Sequence, residues 1–277
     1  MATRRILAVA DHPDTRNLVD EVLPSLHCEI ETVHSSAELL PKLKEKTFDL
    51  ILTGAESGVD VDLALLRDIR AVNPQVRVVV FTPPGTPDQI IAAMREHVYA
   101  VFSRPYDPLE VRDLICRTFD GPAWNDGIQV LSARPDWIAL RVACRLETAE
   151  RVIQFMHELR TGLPEEVKTP IAMAFREILI NAMEHGGGFD PSKFVEVNAV
   201  CTRRALVYHF RDPGSGFAPG QMDHAAKLDN PTEHMEARES KGMRPGGFGI
   251  LLARQLMDEL IYNECGNEVV LIKYLDR

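Results

Sequence analysis

Five short apolar runs open the chain, at Ile6–Ala10, Ile30–Val33, Leu50–Leu52, Val76–Phe81 and Val98–Phe102. Each is followed by a stretch of helical pattern: Arg16–Leu26, Ala37–Lys46, Val61–Val72, Asp88–Glu96 and Pro108–Phe119. Few folds accommodate that alternation. A strand that reads as an unbroken apolar run is covered on both faces, and an intervening helix makes successive strands parallel. The pattern predicts an α/β domain, a five-stranded parallel sheet with helices on both faces. Ligand chemistry in such sheets gathers beyond the carboxyl ends of the strands. Those ends supply Asp11, Thr53-Gly54, Thr82 and Ser103-Arg104-Pro105.

In order and spacing, residues 4–119 resemble a two-component receiver domain. That family carries two acids after the first strand, a phosphoacceptor Asp after the third, a Ser/Thr after the fourth and Lys-Pro after the fifth. Here Ala10-Asp11 keeps one acid, Gly54 stands where the phosphoacceptor belongs, Thr82 is present, and Arg104-Pro105 replaces Lys-Pro. Without a carboxylate nucleophile no acyl phosphate forms, and with one acid missing a Mg2+ site is weak. A planar guanidinium is a poor substitute for a compact ammonium. The resemblance therefore implies a pseudo-receiver for docking or dimerisation. Asp49 and Glu56 are the alternative acceptors, and neither is well placed by strand alternation.

Asp120-Gly-Pro-Ala-Trp-Asn-Asp-Gly127 has linker composition, which sets the expected domains at 1–123 and 124–277. The second is predicted α+β, a mixed sheet with helices on one face. Strands are expected at Ile128–Leu131, Trp137–Ala143, Phe194–Val200, Ala205–Phe210, Ile261–Glu264 and Glu268–Tyr274. Helices are expected from a Thr148 cap to Leu159 and over Ile250–Leu260. Between them lies Ala174-Phe-Arg-Glu-Ile-Leu-Ile-Asn-Ala-Met-Glu-His-Gly186, the end of a helix entered through Pro164 or through Thr169 with Pro170 at its first position. At about 100° per residue, Ile171, Ala174, Phe175, Ile178, Leu179 and Ala182 share one arc, with Glu177, Asn181 and Glu184 opposite. Glu177 and Asn181, four residues apart, aim at one spot. A carboxylate and an amide there could orient a hydroxyl and hold a divalent cation, although alone the stretch also reads as a solvated helix face stopped by glycines. Downstream come Asp212-Pro-Gly-Ser-Gly-Phe217, a polar stretch from Ala218 to Arg244 that looks like a mobile lid, and Pro245-Gly-Gly-Phe-Gly249.

Taken together and in this order, Glu-x-x-x-Asn, Asp-x-Gly-x-Gly and Gly-x-Gly resemble the GHKL superfamily with its Bergerat ATP-binding fold, over about residues 130–275. Within it, the bacterial anti-sigma-factor serine kinases are most alike. The resemblance implies ATP and Mg2+ as cofactors. It makes Glu177 the general base and Asn181 the Mg2+ ligand. Asp212 accepts from the adenine amine, Gly214 and Gly216 allow close approach to the base, and Gly247 and Gly249 face the phosphates. Asn267 stands where Thr is usual, while Glu184 and His185 lie near the cation or only cap the helix.

The function so implied is phosphorylation of Ser or Thr on a small antagonist, a STAS-type protein, with a sigma factor as possible second partner. A non-catalytic ATP-dependent partner switch is the alternative. A third reading takes Phe155-Met-His-Glu-Leu-Arg-Thr161 as a phosphorylated His box, with His157 as acceptor; only 24 residues separate His157 from Asn181, too few for the second helix of a dimerisation hairpin. The net charge of -10 argues against nucleic acid or anionic lipid as the main partner. The apolar start is too short for a signal peptide, no 18-residue apolar stretch follows, and the five scattered cysteines suit a reduced cytoplasm rather than disulfides or zinc. A homodimer through either half is expected from family habit.

Overall fold

A computed structural model describes residues 4–54, 59–120, 126–160, 162–217 and 248–275. The chain divides into two compact units, Met1–Asp126 and Gly127–Arg277.

In the first unit β1 (Arg5–Val9), β2 (Glu29–Val33), β3 (Leu50–Gly54), β4 (Arg77–Thr82) and β5 (Ala100–Ser103) form a parallel sheet in the order β2-β1-β3-β4-β5. This doubly wound order reverses direction between β1 and β3, where a crevice opens at the strand ends. The five residues of β3 and the six of β4 are all buried, as strands covered on both faces must be. The connecting helices are α1 (Pro13–Asn17), α2 (Leu39–Glu45), α3 (Val59–Val72), α4 (Pro87–Arg95) and α5 (Pro108–Asp120). The expected helix Arg16–Leu26 is replaced by three short pieces. α1 starts earlier, capped by the His12 ring, and passes into a π turn over Leu18–Val22 and a 3-10 turn over Leu23–Leu26. Pro24 has no N–H to continue the α ladder, which accounts for the change of winding.

In the second unit β6 (Ile128–Arg134), β7 (Trp137–Ala143), β8 (Phe194–Cys201), β9 (Ala205–Arg211), β10 (Glu259–Tyr262) and β11 (Glu268–Tyr274) make one sheet in the order β10-β11-β9-β8-β7-β6. Its described pairings are all antiparallel, so the expectation of a mixed sheet is corrected. The reason is the pair of helices between β7 and β8: α6 (Leu146–Glu158) leads away and α7 (Glu165–Asn181) leads back, which inverts the next strand. One sheet face is covered by helices, with Phe175 of α7 packed edge-on to Tyr208 at 4.8 Å and against Phe210 at 5.0 Å. All six residues expected on the apolar arc of α7 and its extension are buried.

Three helix boundaries differ from expectation. Arg145, not Thr148, is the residue before α6, and Thr148 is buried inside it. α7 begins after Pro164, leaving Pro170 inside the helix. The last helix, α8 (Gly249–Leu256), stops four residues short of Leu260 because the Asp258 N–H donates to Ile272 O at 3.0 Å, drawing the chain into the sheet.

Candidate active site

At the carboxyl edge of the first sheet, β1, β3, β4 and β5 deliver Asp11, Gly54, Thr82 and Arg104. Gly54 closes β3 where a receiver carries its nucleophile. A Cβ there would lie 3.0 Å from Arg104 Nη2 and 3.2 Å from Asp11 Oδ1. The Arg104 side chain is only 10% exposed, so the guanidinium itself fills the position. Its Nε lies 3.9 Å from Asp14 Oδ2, and its backbone N–H donates to Thr82 O at 2.8 Å. Arg104 Nε and Nη2 and Asp11 Oδ1 are buried with no hydrogen-bond partner among the described residues. Asp49 sits at the amino end of β3, where it pairs with Arg4 at 3.0 Å and accepts from Arg5 N at 2.9 Å. Glu56 lies outside the described residues.

In the second unit the polar stripe of α7 faces the start of α8. Glu177 and Asn181 stand one turn apart, both half-buried. Gly249 approaches so closely that a Cβ would come within 2.6 Å of Glu177 Oε2 and 3.3 Å of Asn181 Nδ2. The N-terminus of α8 therefore lies directly over both side chains, and its unpaired backbone N–H groups favour anionic oxygens. Arg176 links the stripe to α6: Nη2 donates to Glu150 Oε1 at 2.9 Å, while Nη1 lies 3.6 Å from Glu177 Oε1.

Beyond Asn181 the helix widens into a π turn over Ala182–Gly186, closed by Gly187 N donating to Ala182 O at 3.0 Å. Such bulges redirect the residues they contain. Here the effect is to press Gly186 against Asp212, where a Cβ would fall 2.2 Å from Asp212 Oδ1. Gly214 N donates to the same oxygen at 2.8 Å. Burial pushes the Asp212 carboxyl above its ordinary value, and the Gly214 hydrogen bond partly offsets this. Burial also pushes the Cys144 thiol up to about 11 and the Tyr262 phenol up to about 12, with the Asp212 charge adding to each.

The next segment locks onto the β10–β11 turn. Gly216, at φ +78°, has no room for a side chain, since a Cβ would meet Cys265 O at 1.9 Å; Gly266, at φ +75°, is its mirror, with Phe217 O at 2.0 Å. The turn is fixed by Asn263 Oδ1, which accepts from the N–H groups of Gly266, Asn267 and Glu268 at 2.7, 3.2 and 3.2 Å. Asn263 Nδ2 donates to Asn267 Oδ1 at 2.9 Å, so the amide at the usual Thr position is engaged in the turn. Phe217 packs edge-on to Tyr262 at 5.2 Å.

Glu177, Asn181 and Gly249 are thus brought together, as are Asp212 and Gly214, while Gly216 is turned onto the β10–β11 turn. Gly247 and the stretch Ala218–Arg244 lie outside the described residues. His185 is exposed and Glu184 half-buried. His157 occupies the last turn of α6, 3.5 Å from Glu165 Oε2. Sequence reasoning did not single out Gly186, Arg176, Asn263 or Tyr262. The run of three glycines was a signal for the first, and the Asn-x-x-Gly-Asn spacing of a turn was one for Asn263.

The response regulator receiver domain family model matches residues 6–116, and the histidine kinase-like ATPase domain model matches residues 142–273. The chain is a receiver domain fused to a GHKL ATPase domain, and with that pairing an ATP-binding signalling protein. It is similar to the response regulator protein PilR of Pseudomonas aeruginosa, 27% identical over 115 residues that make up 42% of this chain and 26% of PilR. The chain thus spans about a quarter of that relative's length. Among solved structures, a response regulator from Thermotoga maritima aligns with a TM-score of 0.40 and 18% identity, covering 43% of this chain and 100% of its own. A CheY-like receiver domain protein from Methanospirillum hungatei JF-1 aligns at 0.39 and 19%, covering 43% and 95%. Among the described residues no helix is long and apolar enough to cross a membrane.

Proposed function

We propose that this chain is an ATP-dependent serine/threonine protein kinase of the anti-sigma-factor type. Residues 124–277 form its kinase-like domain, and residues 1–123 form a receiver-like module that docks or regulates without accepting phosphate. Its substrate is a small STAS-type antagonist, and a sigma factor is the second partner. One observation carries the reading: Glu177 and Asn181 converge beneath the N-terminus of α8, with Gly249 leaving no atom between helix and side chains. The donor set fits a nucleotide with its cation. Among the described residues no three His, Cys, Asp or Glu side chains converge to cage a metal. A cation here would share its coordination with phosphate oxygens, the mode Mg2+ prefers.

When bound, Mg-ATP supplies the transferable phosphoryl group and much of the charge neutralisation. The protein contributes positioning and electrostatics. Glu177 Oε2 orients the incoming hydroxyl and takes its proton. Asn181 holds the cation through its amide oxygen. Asp212 accepts from the adenine amine, with Gly214 and Gly216 keeping the backbone out of its way, and Gly247 and Gly249 shape the phosphate-facing loop. In the receiver-like module Gly54 removes the nucleophile and Arg104 occupies its place.

The test is incubation with labelled ATP, with and without a STAS-type antagonist. Acid-stable label on the antagonist is the expected result, and Glu177→Gln removes it while sparing ATP binding. Acid-labile, base-stable label on the chain itself identifies His157 instead, and binding without any label identifies a non-catalytic switch. Unchanged transfer in Glu177→Gln overturns the general-base role.

A further inference from the structure

The helix-free face of the second sheet takes no part in the nucleotide site. Strand alternation and register define it. Across β7, β8, β9 and β11 the pairings set Trp137, Val200, Val207 and Ile272 side by side in one transverse row. A second row holds Arg141, Glu196, Arg211 and Glu268, and between them run Ala139, Asn198, His209 and Val270. Trp137 is 49% exposed, Val200 38%, and at the two margins Leu131 is 60% and Ile261 50% exposed. Apolar side chains gathered on one face in this way mark an interaction surface.

We propose that this face is the homodimer interface of the chain, two copies packing sheet on sheet about a two-fold axis that runs along the strands between β8 and β9. The order of charges selects the occupant. The second row reads plus, minus, plus, minus, and rotation about that axis exchanges β8 with β9 and β7 with β11. Glu196 then faces the partner's Arg211 and Arg141 faces the partner's Glu268, so every charge meets its opposite. In the apolar row Val200 faces the partner's Val207 and Trp137 faces the partner's Ile272. A foreign surface would require no such palindrome, whereas an isologous contact must complement itself. Among the described residues Glu196 makes no hydrogen bond or ion pair within its own chain, while Glu268 is held by His209 at 3.2 Å and Arg211 at 3.5 Å. The central acid is thus the one left for a partner.

Aligned sheets cross at about 30°, which moves the outer strands apart and leaves β8 and β9 at the closest approach. Six strands about 4.8 Å apart and five residues deep offer about 500 Å2 in projection, and the corrugated accessible area is larger, near the ~800 Å2 per partner of stable interfaces. The inference does not depend on the catalytic reading.

The test is the mass and self-affinity of the full chain by sedimentation equilibrium. A dimer is expected. Val200→Asp should dissociate it, and Glu196→Arg and Arg211→Glu should each weaken self-association by about tenfold or more. Together in one chain, the two charge reversals should associate more tightly than either alone, because the partner's groups again match. Circular dichroism and ATP binding of each variant report the fold, and the charge reversals keep the test open if Val200→Asp misfolds. A monomer at all concentrations overturns the proposal, even one whose Val200 face captures another protein. So does a dimer indifferent to all three single substitutions.

Discussion

Two residues show how one side chain changes what a site can do. At Gly54 the missing carboxylate is the obvious lesion, but Arg104 is the deeper one, because its guanidinium already fills the space where a Cβ would go. Restoring the acid alone should therefore fail. Gly54→Asp is expected to show no hydroxylamine-labile phosphate after treatment with acetyl phosphate and Mg2+, whereas Gly54→Asp combined with Arg104→Lys, which shrinks the cation to a point charge, should show a measurable signal. Asp212 is the other case. Burial raises its carboxyl above the ordinary 3.8, so the proton returns at a higher pH than in an open carboxylate. ATP affinity should fall as pH drops through that raised value, since a protonated Asp212 is a weaker acceptor. Asp212→Asn should bind ATP about tenfold or more weakly with the acid dependence gone, as isothermal titration at several pH values would record. For folding the sign is opposite. A raised carboxyl contributes stability that is fully present below the unfolded value and lost as pH rises through the folded one, so the ionised Asp212 is a mild burden in the free protein.

At the scale of elements, α7 carries an internal contradiction. Pro170 sits inside the helix, where it cannot donate to the carbonyl one turn back and its ring crowds that turn. Pro170→Ala should raise stability by about 2 kcal/mol in urea unfolding, the helix-interior penalty less the entropy Pro removes from the unfolded chain. Local signals favoured Pro170 as a first helical residue, and that preference lost. Starting at Glu165 instead sets two acids, Glu165 and Glu166, in the first turn, where the helix dipole favours them. The end of α8 was illegible for a related reason: its apolar period continues to Leu260, and only a long-range bond from Asp258 to β11 ends it. By contrast the first sheet and the Glu177–Asn181 pair could be read directly. Parallel strands must be apolar on both faces, and residues four apart on a helix must share a side. Arg104 and Gly186 could not be read, because their importance arises from how close a neighbour comes, which no periodicity records.

At the scale of the whole molecule, each unit has its own core. The buried cluster of the first includes Ile6, Leu50, Phe81, Val111 and Ile115, and that of the second includes Phe175, Val197, Tyr208 and Phe210. Two cores with separate sheets should melt as two calorimetric transitions. Mg-ATP at about a hundred times its dissociation constant should stabilise the one belonging to the second unit by about 2.7 kcal/mol and leave the other in place. A single transition, or movement of both, would show that the two cores unfold as one.

The reciprocal fit of Gly216 and Gly266 extends to how this sequence can vary. Each residue occupies the space the other's side chain would need, so two positions fifty residues apart along the chain share one constraint. Gly216→Ala and Gly266→Ala should each destabilise the second unit, yet the pair together should cost clearly less than the sum, since the first substitution already pries the same two backbones apart. A thermodynamic cycle over the four proteins measures this. In a lineage of such chains, the loss of one glycine would therefore relax selection on the other, and the two should disappear together rather than one at a time.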